Sequence, residues 1–114
     1  MTRRLQMYGL SHCSTCARAR DELAQAGWTV DFRDVRDEPL APGELDALLG
    51  RFGERLVNRA SLTWRAMSDE ERAGTPAAMI AAKPALMKRP AIVTSEHALL
   101  GWTANVKRAL DVPA

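Results

Sequence analysis

The two cysteines of the chain, Cys13 and Cys16, constrain its fold more than any other feature. They lie between an apolar stretch from Arg3 to Tyr8, typical of a β-strand, and a helical pattern from Ser14 to Ala26. Cys13 is therefore expected at a helix N-terminus, where unpaired backbone amides and the positive end of the helix dipole stabilise a thiolate. The pattern predicts a strand, a loop that carries a reactive thiol, and a helix.

A second strand is expected directly after this helix. Gly27 suits the left-handed position that follows a helix C-terminus. Trp28, Val30 and Phe32 then alternate with polar residues, as in a half-buried strand. Strand, helix and strand form a βαβ unit, whose strands should be parallel and whose crossover should be right-handed. Ligands of such sheets bind beyond the carboxyl ends of the strands, where Cys13 is expected.

The middle of the chain lacks strand patterns. Apolar spacing predicts a helix that ends near Gly50 to Gly53. Ser68 and Glu71 have the spacing of a capping box, and Thr75-Pro76 reads as an N-cap followed by proline at the first helical position. We therefore predict an all-helical insertion over approximately residues 42–83, within a single domain of residues 1–114.

The strand pattern resumes in the last quarter of the chain. Ala91 to Thr94 and Ala98 to Leu100 are separated by a short turn, which predicts an antiparallel hairpin. Thr103 is the expected N-cap of a final helix. The predicted order is β-α-β, helices, then β-β-α, which is an α/β fold with a mixed sheet.

Arg89 and Pro90 directly precede the third predicted strand. A proline has no N–H for the sheet and, in the cis form, would hold a tight turn that faces the first helix. Arg89 would then direct its planar set of donors at an anion bound to Cys13. The alternative interpretation is a solvated basic pair before a strand. Arg59 is a second candidate for anion binding, although sequence alone does not separate it from other surface arginines.

Cys13 is the predicted attacking thiol and Cys16 the predicted resolving thiol. A free cysteine has a pKa of about 8.5, so Cys13 needs further stabilisation by cations to be a thiolate at neutral pH. Cys16 lies within disulfide reach but also falls on the apolar stripe of the helix, so a core role remains an alternative. One CxxC motif with His12 supplies at most three zinc ligands, and we expect no bound metal or cofactor.

Composition argues against several classes of protein. The formal net charge of +2 is too small to imply direct binding to nucleic acid. No apolar run approaches the roughly 18 residues of a membrane span, and the N-terminus lacks the apolar core of a signal peptide. We therefore expect a cytoplasmic protein without a membrane partner. In that reducing compartment an isolated cysteine pair is more often catalytic than structural.

Five short stretches also match the motifs of a known family. They are Tyr8-Gly9 with Cys13, Asn58-Arg59, Thr63-Trp64-Arg65, Lys88-Arg89-Pro90 and Leu100-Gly101-Trp102. They resemble the ArsC/Spx family of glutaredoxin-like arsenate reductases and relatives, most closely the short bacterial ArsC-like proteins of the YffB type. The resemblance implies a thioredoxin-like fold with an inserted helical subdomain.

The resemblance also implies roles for individual residues. Cys13 matches the nucleophile of the family, Arg59 and Arg89 match two anion-binding arginines, and Pro90 matches its cis-proline. In the arsenate reductases that use glutathione and glutaredoxin, the cysteine attacks arsenate and external thiols reduce the adduct. This chain departs from those reductases in two ways. It has Leu99 to Trp102 where they carry a third arginine, which favours glutathione over arsenate, and its second cysteine is a feature of the Spx regulators.

Together, these observations predict a glutaredoxin-like thiol oxidoreductase. It would reduce a disulfide or an oxyanion through the Cys13 thiolate, with glutathione as the electron donor and co-substrate. The expected partners are glutathione or glutaredoxin and a small anionic substrate. The alternative is a non-enzymatic, redox-sensing regulator of the Spx type, which would bind the α subunit of RNA polymerase.

Overall fold

The computed structural model describes residues 3–114, which form two compact units. The first unit contains the residues up to Asp34 together with Arg89–Ala114, and the second contains Val35–Lys88. The first unit contains all of the named strands together with two helices, whereas the named elements of the second are all helical. The helical insertion expected over residues 42–83 therefore corresponds to the second unit, whose bounds are wider, at Val35–Lys88. The single-domain organisation stays a prediction.

The secondary structure follows the predicted order. In chain order the elements are β1 Arg3–Gly9, α1 Ser14–Gln25, β2 Trp28–Asp34, α2 Pro42–Phe52, α3 Leu62–Arg65, α4 Asp69–Arg72, α5 Pro76–Ala82, β3 Ala91–Val93, β4 Ala98–Leu100 and α6 Ala104–Ala109, with 3₁₀ turns at Gly53–Leu56 and Pro84–Leu86. Gly27 follows the C-cap of α1 with a φ of 93°, which glycine adopts without strain. Among residues 3–114, none of the helices has the length and apolarity that a bilayer crossing requires.

The sheet has the strand order β2-β1-β3-β4. β1 and β2 are parallel, in a register that begins at Arg3 and Trp28 and ends at Gly9 and Asp34. β3 is antiparallel to both β1 and β4. The structure thus confirms the mixed α/β sheet, the parallel βαβ unit and the final hairpin. Because β2 lies at an edge, its apolar residues are only half-buried.

The core of the first unit joins the central strands to helices α1 and α6. Leu5 and Met7 alternate along β1, and Ala19 and Leu23 share one face of α1, so each element presents an apolar side. The buried cluster consists of Leu5, Met7, Ala19, Leu23, Ile92, Val106, Leu110 and Val112. Helix α1 is therefore fixed on the sheet, and with it the position of its N-terminus.

Helices α4 and α5 of the second unit begin at the predicted capping residues. Ser68 Oγ accepts from the Glu71 N–H at 3.1 Å, and Glu71 Oε1 accepts from the Ser68 N–H at 2.8 Å. Thr75 Oγ1 accepts from the Ala78 N–H at 3.1 Å. An isolated bridge between Val57 and Met87 joins the segments on either side of these helices. The unit is thus closed by backbone hydrogen bonds as well as by packing.

Candidate active site

Cys13 is the N-cap residue of α1, at the end of the loop that follows β1. Its N–H donates to the Leu10 carbonyl at 3.2 Å, and its own carbonyl accepts from the Ala17 N–H at 3.0 Å. The first bond closes the loop and the second starts the helix. The Cys13 side chain is partly exposed, whereas that of Cys16 is buried. Of the two thiols, Cys13 is the one that a substrate can reach from solvent.

Opposing effects act on the pKa of Cys13. Partial burial raises it, because burial penalises the anion, but the backbone N–H of Cys16, the Cys16 thiol and the Arg89 guanidinium all stabilise the thiolate. The net result is a pKa below the ordinary value of a cysteine. The Cys16 N–H lies in the first turn of α1, where amides lack partners within the helix. The lowered pKa increases the fraction of Cys13 that is present as the nucleophilic thiolate.

Cys16 has the opposite properties. Its side chain is 1% exposed. Burial and the neighbouring Cys13 sulfur raise the pKa of Cys16 to about 11, while interactions with the Leu10 backbone and with Arg89 lower it by less. At neutral pH Cys16 is therefore a protonated thiol that interacts with the Cys13 sulfur. The structure places Cys16 in both predicted settings at once, beside the nucleophile and in the buried interior.

Gly9 provides the space that Cys16 occupies. A Cβ atom at Gly9 would lie 2.6 Å from Cys16 Sγ and 3.2 Å from Phe32 Cε1. The first distance is shorter than real Cβ contacts, so any larger residue would displace the sulfur. The sequence-based prediction names Gly9 only within the Tyr8-Gly9 motif and gives it no role in the site. The available signal was a glycine at the end of a strand pattern, which often marks a close approach.

The Arg89–Pro90 peptide bond is cis and immediately precedes β3. Pro90 is fully buried, and its carbonyl accepts from the Gly101 N–H at 2.8 Å. The next residue, Ala91, is the register partner of Tyr8 in β1. The Arg89 side chain is half-buried, and its charge acts on both cysteines. The first unit thus brings together Cys13, Cys16, Arg89 and Pro90.

Asp34 is a further residue that sequence reasoning did not place at the site. It ends β2, and its Oδ2 atom accepts from the Ser11 N–H at 2.7 Å. Ser11 belongs to the loop between β1 and Cys13. The parallel register, which places Asp34 beside Gly9, explains how this carboxylate reaches the loop.

Arg59 belongs to the second unit. Its guanidinium lies 5.3 Å from the centroid of the Trp64 ring, and Arg72 lies 5.4 Å from the same ring. Its ion pair with Glu54 is long, at 3.8 Å, and the Arg59 side chain is 48% exposed. The indole therefore supports a guanidinium that still faces solvent. A role of Arg59 in anion binding stays a prediction.

Trp102 lies in the segment where the related reductases carry a third arginine. Its ring packs on the core of the first unit, and its Nε1 donates to Glu22 Oε2 at 3.2 Å. The other oxygen of Glu22 pairs with Lys107 Nζ at 3.1 Å. Glu22 therefore links α1 to Trp102, which precedes α6, and to Lys107 within α6. Across the described part of the chain, no three His, Cys, Asp or Glu side chains converge as a metal site would require.

Comparison with known proteins supports the same family. A model of the ArsC family matches residues 8–110. The chain belongs to the ArsC family. An uncharacterised protein of Haemophilus influenzae is 30% identical over 110 residues, which cover 92% of this chain and 96% of the relative.

Solved structures of similar proteins show the fold of this ArsC family member. The YffB protein has a TM-score of 0.81 at 24% identity, covering 93% of this chain and 97% of its own. An arsenate reductase (ArsC) related protein from Brucella melitensis has a TM-score of 0.74 at 28% identity, covering 96% and 95%. These matches confirm the family resemblance and the thioredoxin-like α/β fold. The family match also assigns the chain to a family of thiol-based reductases.

Proposed function

We propose that the protein is a thiol oxidoreductase that reduces a glutathione mixed disulfide, with glutathione as the electron donor. The observation that carries the proposal is the environment of Cys13. This thiol is accessible at the head of α1, and its thiolate is stabilised by the Cys16 N–H and by Arg89. An accessible thiolate attacks disulfides readily, whereas a thiol does not.

The reaction has two balanced steps. The Cys13 thiolate attacks the glutathione sulfur of the substrate disulfide, which forms a Cys13–glutathione disulfide and releases the substrate thiolate to take up a proton. The thiolate of a second glutathione then attacks the glutathione sulfur of that mixed disulfide. Glutathione disulfide leaves and the Cys13 thiolate is restored. Overall, the substrate mixed disulfide and one glutathione give the free substrate thiol and glutathione disulfide.

The properties of Cys16 support an external thiol in the second step. Cys16 is buried, and its pKa of about 11 leaves little thiolate at neutral pH. The burial of Cys16 disfavours its attack on the mixed disulfide, and we assign the second step to free glutathione. In this scheme Cys16 donates a hydrogen bond to the Cys13 thiolate.

Arg89 and Arg59 are the proposed anion-binding residues. Arg89 shares the first unit with Cys13 and interacts with its sulfur, which supports a role in holding a glutathione carboxylate near the reacting atoms. Arg59 is proposed from its family position and its exposed guanidinium. We expect Arg89→Lys to retain more affinity for glutathione than Arg89→Ala, and Arg59→Ala to raise KM with a smaller effect on kcat.

Steady-state kinetics with two rival substrates test the proposal. One is the mixed disulfide of glutathione with 2-mercaptoethanol, and the other is arsenate, each with glutathione as the reductant. We expect turnover of the disulfide by the wild type and by Cys16→Ser, and none by Cys13→Ser. Turnover of the disulfide by Cys13→Ser would show that the proposal is wrong. Faster turnover of arsenate than of the disulfide would move the substrate to the oxyanion class.

A regulatory function is the second candidate, because the two cysteine sulfurs interact directly. A redox-sensing regulator of the Spx type would bind the C-terminal domain of the RNA polymerase α subunit in a manner that depends on oxidation of this pair. A pull-down with that domain, using reduced and oxidised protein, separates the two functions. Binding in one redox state, combined with no disulfide turnover, would favour the regulator.

A further inference from the structure

Asp34 connects the end of one strand to the loop that carries the nucleophile. In the parallel register it is the partner of Gly9, so β1 and β2 end side by side. From this position Asp34 Oδ2 accepts the Ser11 N–H at 2.7 Å. A short hydrogen bond between a backbone amide and a carboxylate is charge-assisted, and it is stronger than a bond to a neutral carbonyl.

Apart from the bond to Asp34, the loop between β1 and Cys13 is restrained at its two ends, Leu10 and Cys13. Leu10 is 7% exposed, and its carbonyl accepts the Cys13 N–H at 3.2 Å. Ser11 and His12, by contrast, have exposed side chains. The bond to Asp34 therefore restrains the exposed half of the loop. Ser11 lies within the turn that the Cys13 N–H closes by donating to the Leu10 carbonyl.

We propose that Asp34 is a positioning residue for Cys13, which acts through the Ser11 amide to hold the loop that presents the sulfur to the Cys16 N–H and to Arg89. The inference rests on the proposed function, in which Cys13 is the nucleophile. Loosening the loop allows the sulfur to move away from both stabilising groups. The thiolate then loses stabilisation although neither group has changed.

Two variants of Asp34 separate this role from a general effect of the carboxylate. Asp34→Ala removes the acceptor, whereas Asp34→Asn keeps a carbonyl oxygen of similar reach without the charge. The measurement is the rate of Cys13 alkylation by iodoacetamide as a function of pH, with the modified residue identified by mass spectrometry. We expect Asp34→Ala to alkylate roughly three- to tenfold more slowly at pH 7, which corresponds to a rise of about half a unit to one unit in the pKa of Cys13. Asp34→Asn keeps only a neutral and weaker acceptor, so its alkylation rate should lie between those of the wild type and Asp34→Ala.

A wild-type pH profile in Asp34→Ala would overturn the proposal, and so would equal losses in the two variants. Amide exchange of Ser11, measured by NMR, gives a test that does not depend on the folding of a variant. We expect protection of this amide in the wild-type protein. Exchange at the rate of a free loop amide would contradict the proposal. Alkylation needs no enzyme substrate, so these results stand apart from the kinetic test of the proposed function.

Discussion

At the scale of single residues, the two cysteines of the CxxC motif differ in exposure and in pKa. Cys13 is accessible and has a lowered pKa, whereas Cys16 is buried and has a raised pKa. The difference arises because the Cys16 N–H and thiol both stabilise the Cys13 anion, while burial penalises an anion at Cys16. Reactivity is thus concentrated on one sulfur.

Replacing Cys16 tests whether its thiol supports the Cys13 thiolate. In Cys16→Ala the donor is lost, and we expect the pKa of Cys13 to rise by about half a unit to one unit. Cys16→Ser is the matched control, because its hydroxyl is a similar donor. The pH dependence of Cys13 alkylation provides the measurement. If Ala and Ser variants share the wild-type profile, the Cys16 side chain does not stabilise the thiolate.

Gly9→Ala tests the close contact beneath Cys16. The added methyl group would overlap Cys16 Sγ, so we expect a loss of about 1–3 kcal/mol in the free energy of unfolding, measured with urea. The same change in a Cys16→Ala background should cost clearly less, because the overlapping sulfur is absent. A double-mutant cycle gives the coupling energy. Additive effects would mean that Gly9 is needed for another reason, such as its contact with Phe32.

At the scale of secondary-structure elements, most of the fold was predictable because its signals are local. Strand alternation in β1, helical spacing in α2 and the caps at Ser68 and Thr75 all depend on residues within a few positions of each other. The half-buried strand predicted from Trp28, Val30 and Phe32 is confirmed as β2, an edge strand whose apolar residues are half-buried.

The features that sequence reasoning missed join distant parts of the chain. Ser11 and Asp34 meet because β1 and β2 end together, and Gly9 meets Cys16 because α1 packs tightly on β1. No local pattern encodes such distances. The pair of Arg59 and Arg72 on the Trp64 ring is a contact of the same kind. Candidate site residues could thus be proposed where a motif names them, but the contacts that hold them in place could not.

Two glycines near the end of α2 give a matched prediction at this scale. Gly50 lies within the helix with open space around its Cα, so Gly50→Ala should stabilise the protein by about 0.5–1 kcal/mol. Gly53 also has open space, but its φ of 59° and ψ of −145° disfavour other residues. Gly53→Ala should therefore destabilise by about 1–3 kcal/mol. Urea unfolding measures both, and equal effects would contradict the backbone explanation.

At the scale of the whole molecule, the buried thiol makes stability depend on pH in the alkaline range. Burial raises the pKa of Cys16 from 9.0 to about 11, so the folded state retains a proton that the unfolded state releases. The contribution is fully present below pH 9 and is lost as pH rises towards 11. Cys13 acts in the opposite sense, because its lowered pKa adds stability above its ordinary pKa and loses it as pH falls through the lowered value.

We therefore expect the free energy of unfolding to fall more steeply above pH 9 in the wild type than in Cys16→Ser. Urea unfolding from pH 8 to pH 11 provides the measurement. Other groups that titrate in this range affect both proteins, so the difference between the two curves isolates Cys16. If the free energies of unfolding of the two proteins fall in parallel above pH 9, ionisation of the Cys16 thiol does not cause the loss of stability at alkaline pH.

The burial of Cys16 also determines which of the two sulfurs an oxidant reaches first. A peroxide that reaches the surface finds the Cys13 thiolate, while the second sulfur is enclosed beneath Gly9. Oxidation to a sulfenic acid, and any further damage to sulfinic acid, therefore begins at Cys13. Capture of the sulfenic acid by glutathione produces the same mixed disulfide as the proposed catalytic cycle. The route that turns over substrate is then also the route that repairs the enzyme.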